Sequence, residues 1–335
     1  MIIKSQIISK KVPVLLILFN RVDITKRLLD SLSYYSPDQL YIHFDGPREN
    51  FKKEDTEKIE KIISLINLHI SWECDINIKK AISNIGSADS PKKAIDWFFE
   101  NVEYGVILED DCIPEETFFE YCEVLLSKYN TNPEVFMISG DNGGEILEEQ
   151  IFGKSDYLFT KIPLTWGWAT WKNRWEKIDR NFTSWSKSYF YNRKNLKYLP
   201  FFESYLIYKM LKRISNRSEK NWDYLLYSTM IKNKSLSIIP RYNQIENIGW
   251  GQEATHTKSK NFRSYAETKK LKSFKTYSNL VSDQKNDLFI SYKVHFGVDK
   301  ILMNETPLFK IRISYIIMRI KYLMKVFGAK LSFLN

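Results

Sequence analysis

Between Val12 and Phe19 the chain reads Val-Pro-Val-Leu-Leu-Ile-Leu-Phe with no polar residue, the pattern of a strand covered on both faces. Asn20-Arg21 ends the run, and apolar positions from Ile24 to Leu32 then recur at helical spacing. A second apolar stretch, Leu40 to Phe44, stops at the turn signal Asp45-Gly46-Pro47. Glu54 to Ile66 reads as an amphipathic helix and Trp72 to Ile78 as a third strand. Ser90-Pro91 opens a helix through Glu100, with proline in the first turn, where helices tolerate it. Gly105 to Leu108 is a fourth buried strand, and it runs into Glu109-Asp110-Asp111-Cys112-Ile113-Pro114. Alternating strands and helices predict a parallel sheet with helices on both faces. Ligands of such sheets gather at the carboxyl ends of the strands. Asn20-Arg21, Asp45-Gly46 and Glu109-Asp110-Asp111 all fall at that edge.

The second half is less regular. Phe118 to Tyr129 predicts a helix, and Val135 to Ile138 a strand that ends at Ser139-Gly140-Asp141-Asn142-Gly143-Gly144. Trp168, Trp171 and Trp175 are spaced as a helical core stripe, and the preceding Pro163 to Gly167 reads as a loop that carries Trp166. A stretch rich in Lys, Tyr and Asn covers about Ser184 to Lys220. Beyond about Lys258 the chain turns polar and basic. Leu308 to Phe327 is amphipathic and cationic, a pattern that suits a membrane interface as well as a helix packed on its own domain. The organisation expected is one main domain over 1–260, with halves at about 12–145 and about 146–260 that the resemblance described below implies to be the nucleotide-binding and acceptor halves of a catalytic domain. A basic C-terminal extension with an amphipathic helix follows over 261–335.

Composition narrows the partners. Of 335 residues, 44% are hydrophobic and 15% aromatic, ample for a core and contrary to disorder. The net charge of +10 points to an anionic partner, either a phosphorylated substrate or a membrane surface. Nucleic acid is not expected, because no helix-turn-helix, RNP-like or zinc-finger pattern occurs. Cys74, Cys112 and Cys122 form no CxxC pair and suit a reduced, cytosolic compartment. No signal-peptide layout and no apolar run of membrane-spanning length is present. The expected location is cytoplasmic, with peripheral contact on the inner face of the cell membrane.

Three adjacent carboxylates after a buried strand repel one another, and folding alone gives no reward for placing them there. A divalent cation does, since hard oxygen ligands suit Mg²⁺ or Mn²⁺ and the metal then bridges substrate phosphates. Val-Ile-Leu-Glu-Asp-Asp-Cys-Ile-Pro resembles the DxD-type motif of GT-A glycosyltransferases, in the Glu-Asp-Asp form of the animal N-acetylglucosaminyltransferases. Leu18-Phe-Asn-Arg-Val-Asp23 and Phe44-Asp45-Gly46 resemble the first- and second-strand ends of the same family. Trp166-Gly-Trp-Ala-Thr-Trp-Lys-Asn-Arg-Trp175 and Asn247-Ile-Gly-Trp-Gly-Gln-Glu-Ala-Thr-His-Thr257 resemble blocks of a bacterial surface-polysaccharide branch.

That resemblance implies an α/β GT-A fold and a metal-dependent, inverting transfer of a sugar from a nucleotide-sugar donor, with UDP-sugars favoured. The implied acceptor is a glycan or lipid-linked glycan. It implies Asp111 and His256 as ligands of Mn²⁺ or Mg²⁺. Asn20, Arg21, Asp45, Glu109 and Asp110 would lie along the donor, and Trp166 against the acceptor. Asp223, at the start of a helix, is the implied general base, with Asp141 second. A helix-start Asp also favours the helix dipole by itself, and a lone loop histidine such as His256 is ordinarily just solvated. Two alternatives remain open. A nucleotidyltransferase uses a similar sheet, though Phe19-Asn-Arg-Val-Asp23 lacks the glycine-rich loop such enzymes carry after the first strand. A non-catalytic carbohydrate-binding module would dispense with the acidic residues.

Overall fold

A computed structural model describes residues 11–143, 152–182, 185, 188–197, 201–216, 221–249, 267–276, 279–283, 287 and 290. The first half alternates as its pattern dictates: β1 (Val14–Leu18), α1 (Val22–Tyr35), β2 (Gln39–Phe44), α2 (Lys52–His69), β3 (Asp75–Lys80), α3 (Gly86–Asn101) and β4 (Tyr104–Glu109). Next come β5 (Cys112–Pro114), α4 (Phe118–Tyr129), β6 (Val135–Ser139), β7 (Tyr157–Thr160), β8 (Trp168–Trp171) and the short α5 (Lys172–Trp175). The remaining elements are α6 (Tyr189–Asn192), α7 (Phe201–Ser215), α8 (Trp222–Asn233), β9 (Leu236–Pro240) and β10 (Ile245–Asn247).

Eight strands form one sheet in the order β3-β2-β1-β4-β8-β6-β9-β7, and β5 pairs with β10 apart from it. β1 is parallel to β2 and to β4, and β2 to β3. β8 runs antiparallel between β4 and β6, while β9 is again parallel to β6. The mostly parallel α/β sheet of the expected fold class is therefore present. The predicted C-terminal amphipathic helix, Leu308 to Phe327, lies outside the described residues.

The uninterrupted apolar run of β1 has a direct cause. Leu15 and Ile17 enter the core that includes Ile95, Phe98 and Trp168 on one face. Val14, Leu16 and Leu18 enter the core with Leu28, Leu32, Ile62 and Ile66 on the other. Every second residue points to the opposite face, so a strand covered by helices on both sides can hold no polar position. β3 shows the contrast. It is an edge strand that ends in Lys79 and Lys80, charges that discourage further strand pairing.

Three sequence expectations are displaced. The third strand begins at Asp75 rather than Trp72, because the Trp72 indole turns aside to donate to the Pro37 carbonyl at 3.0 Å. α3 starts at Gly86, a turn before Ser90, so Pro91 lies in its second turn rather than its first. The tryptophan stripe is core, as expected, but it is not helical. Trp168 and Trp171 lie in strand β8 and only Trp175 lies in a helix; all three are buried.

A buried network joins the carboxyl ends of β1 and β2. Asp55, wholly buried on α2, accepts hydrogen bonds from the Asn20 side-chain amide (2.7 Å), the Arg48 backbone N–H (3.0 Å) and the Arg48 guanidinium (2.8 and 2.9 Å). These donors, the Arg48 side chain first, hold the Asp55 carboxyl down to about 2, below its ordinary value. A carboxylate depressed in the folded state stabilises it fully above the unfolded pKa of about 4 and loses that contribution as pH falls towards 2. In urea denaturation between pH 6 and pH 2, the Asp55→Asn variant is expected to be less stable at pH 6. It is also expected to lack the part of the wild-type decline that falls between about pH 4 and pH 2.

Candidate active site

The acidic triplet sits where β4 ends. Glu109 is the last residue of the strand, and Asp110 and Asp111 turn into β5. Arg21, at the end of β1, faces them because β1 and β4 are adjacent and parallel, with Ile17 opposite Glu109. Its guanidinium grips Asp110 through two nitrogens, one at 2.8 Å, and reaches Asp111 Oδ2 at 2.9 Å. Arg21 is itself tied down, its carbonyl accepting the Thr25 hydroxyl at 2.7 Å and the Thr25 N–H at 3.0 Å. The two carboxylates hold the guanidinium firmly charged against the cost of its burial.

Among the described residues, no ion pair reaches Glu109. Burial, then Asp111, Asp110 and Asp223 in that order, push its carboxyl well above the ordinary carboxylate range, and Arg21 offsets this only in part. Asp223 is thus within electrostatic reach of Glu109 although 114 positions separate them in the chain. Trp222 accounts for the approach: its ring stacks on Trp168 at 5.5 Å between centroids, and Trp168 is in register with Ile107, two residues before Glu109. The α8 N-terminus is thereby held at the carboxyl edge of β4. Asp223 begins α8 as expected, and its Oδ1 accepts the Tyr224 N–H at 2.9 Å.

The other side of the triplet is closed by the β10 strand. Asn247 pairs with Cys112, and the Ile248 N–H donates to the Asp111 carbonyl at 2.9 Å. Gly249 then passes so close that a Cβ there would lie 2.0 Å from Asp111 Oδ2. Glycine is required at this point because the backbone meets the carboxylate directly. His256 lies outside the described residues.

The remaining candidates divide by what already engages them. Asp45 is buried. Its oxygens accept the N–H groups of Gly46, Ile85 and Gly86 (2.8, 2.9 and 3.0 Å) and the Asn84 side-chain amide (3.0 Å). It therefore fixes the loop that leads into α3. The side-chain N–H of Asn20 is committed to Asp55. Asp141, buried after β6, accepts the Gly143 N–H at 2.7 Å and shapes the turn at the same sheet edge. Trp166, half-buried, immediately precedes β8 at that edge. Sequence reasoning missed Asp55 and the close pass of Gly249. An Asp inside an amphipathic helix carries no signal of its own, and a three-residue strand leaves almost none.

Among the described residues, no three His, Cys, Asp or Glu side chains converge to hold a metal by themselves. The donor set nonetheless suits a hard cation shared with a bound phosphate, which needs only one or two protein carboxylates. Arg21 takes both oxygens of Asp110 but only Oδ2 of Asp111, whose side chain keeps 17% exposure at the strand end. Arg21 is bonded to Asp110 and Asp111, while Glu109 also faces the charge of Asp223, and this gathering of carboxylates favours a cation.

No protein-family model and no curated protein matches the chain. Solved structures match in part. The mannosyltransferase PcManGT from Pyrobaculum calidifontis, determined with GDP-Man and Mn²⁺, aligns with 13% identity and a TM-score of 0.32 over 51% of this chain. The chain spans only 47% of that protein's length. The 4-diphosphocytidyl-2C-methyl-D-erythritolsynthase of Anaerococcus prevotii DSM 20548 aligns with 11% identity and a TM-score of 0.35, over 73% of this chain and 94% of the other. HddC from Yersinia pseudotuberculosis aligns with 12% identity and a TM-score of 0.30, over 48% and 77%.

Removing Arg21 leaves Asp110 and Asp111 without their counter-charge. Arg21→Met is expected to cost about 3–5 kcal/mol in urea denaturation, the usual effect of breaking a largely buried pair from one side. Adding Asp110→Asn to that variant is expected to recover part of the loss, because one uncompensated charge is gone.

Proposed function

We propose that the chain is a nucleotide-sugar-dependent glycosyltransferase that works by inversion. The observation that carries this reading is the meeting of Asp223 with the Arg21-braced triplet Glu109-Asp110-Asp111 at one sheet edge. Carboxylates able to hold a cation for the leaving diphosphate, and a separate carboxylate to take a proton, are the parts such a transfer needs. The donor would lie across the carboxyl ends of β1, β2 and β4, as ligands of parallel sheets do. Asn20 and the Asp45-anchored loop would frame its nucleoside.

Asp111, with His256 as a second ligand by family resemblance, would hold Mn²⁺ or Mg²⁺. The cation would supply positive charge to the leaving nucleoside diphosphate. Arg21 orients Asp110 and Asp111 and keeps them from closing on each other. Asp223 takes the proton of the acceptor hydroxyl as that oxygen attacks the anomeric carbon, the role of a positioned general base. Glu109 lies beside the donor sugar, where a neutral carboxyl can donate a hydrogen bond to a hydroxyl. Trp166 gives a flat apolar face to an acceptor sugar. The acceptor is a glycan or a lipid-linked glycan of a surface polysaccharide.

Titration calorimetry with UDP and with GDP, each with and without Mn²⁺, tests the donor half of the proposal. One nucleotide is expected to bind in a metal-dependent way, and Asp111→Ala is expected to abolish the metal dependence. Binding of neither nucleotide under any metal condition would count against the reading. Asp223→Asn tests the acceptor half. It is expected to bind the same nucleotide as well as wild type while sugar transfer falls by about 10²–10⁴-fold, the usual worth of a general base. Unchanged transfer would remove Asp223 from the chemistry.

A further inference from the structure

The stretch 186–220 is strongly basic. It carries nine Lys and Arg residues against only Glu203 and Glu219, a net charge of +7. The described parts of this stretch are α6, the 3₁₀ turn Arg193–Asn195 that continues it, and α7. α7 has two distinct faces. Ser204, Ile207, Tyr208 and Leu211 are buried on one, at the i, i+3, i+4, i+7 spacing of a core-facing stripe. Tyr205, Lys209 and Arg213 follow one another at i, i+4, i+8 on the other and are exposed.

Alongside this stripe, α6 and its following turn add Phe190, Tyr191, Lys194 and Lys197, also exposed. Phe190 is 81% exposed, which is unusual for a phenylalanine. The lysines lean over the aromatic rings: Lys194 Nζ lies 5.3 Å from the Tyr191 centroid and Lys209 Nζ 5.9 Å from that of Tyr205. Aromatic rings with cations close beside them make a surface that is both apolar and positive.

We infer that the exposed face of α6 and α7 docks the protein on an anionic phospholipid surface, with Phe190, Tyr191 and Tyr205 entering the headgroup layer and the lysines and arginines meeting lipid phosphates. Charge complementarity identifies the occupant. Each Lys or Arg near an anionic bilayer contributes favourably, aromatic side chains prefer the interface, and lysine stems can lie along apolar surface while their heads stay in water. A soluble anion would match the cations alone and leave Phe190 unexplained. The inference is independent of the glycosyltransferase reading. The two are spatially related, since α7 packs on α8, whose first turn carries Asp223.

Flotation of the full chain with vesicles tests it. The protein is expected to float with vesicles of equal parts phosphatidylcholine and phosphatidylglycerol, to do so less as salt rises, and to stay behind with phosphatidylcholine alone. The variant Lys194→Glu/Lys209→Glu/Arg213→Glu is expected to bind at least about 100-fold more weakly. Phe190→Ser is expected to bind roughly tenfold more weakly with its charge unchanged. The corresponding Gln variants give a milder series, and thermal melting reports whether each variant is folded. Failure of the wild type to float would overturn the proposal. So would full binding by the folded triple variant, which would assign the interaction to another segment such as 308–327. Retention on a dextran sulfate column without vesicle binding would overturn it too, in favour of an anionic polysaccharide.

Discussion

Arg21 is the interaction on which the site depends. Three consecutive carboxylates at the end of a doubly buried strand cannot be held together without a cation. The Arg21 guanidinium provides one, bonded to Asp110 and Asp111 together. Its own position follows from the parallel pairing of β1 with β4. It also follows from the Asp55 network, which fixes neighbouring Asn20 against α2. The sheet, the first loop and the acidic turn therefore stand or fall together. What Arg21 does not neutralise is the rest of the negative charge, and that remainder is felt at Glu109.

Much of this edge was legible in the sequence because strands covered on both faces leave no room for polar residues. β1, β2 and β4 are nearly unbroken apolar runs, and the first polar residues after them are those at the ligand edge. The reasoning weakened wherever burial ceased to be two-sided. β3 is an edge strand whose alternation was read three residues too early. Trp168-Ala-Thr-Trp171 is a short strand in which the spacing to Trp175 imitates a helix, so the antiparallel strand between β4 and β6 went unseen.

Asp223 shows the difference between chemistry and placement. Its residue type and its helix-start position were readable, but nothing local says which part of the sheet the helix meets. The stacked pair Trp168 and Trp222 decides that, across 54 positions. The same holds for Gly249, whose contact with Asp111 exists only because β5 and β10 pair. The basic, aromatic character of 184–220 was visible as composition, whereas its division into a buried and an exposed face of α7 required the fold.

The central claim is that this edge transfers a sugar and releases a nucleoside diphosphate. The measurement that addresses it most directly is ³¹P NMR of the purified protein incubated with UDP- or GDP-sugars and a glycan acceptor. A parallel incubation would contain nucleoside triphosphates and sugar 1-phosphates. The account predicts UDP or GDP as the phosphorus product of the first mixture and no change in the second. Pyrophosphate from the second, with the nucleotide sugars of the first left intact, would contradict it and make the chain a nucleotidyltransferase.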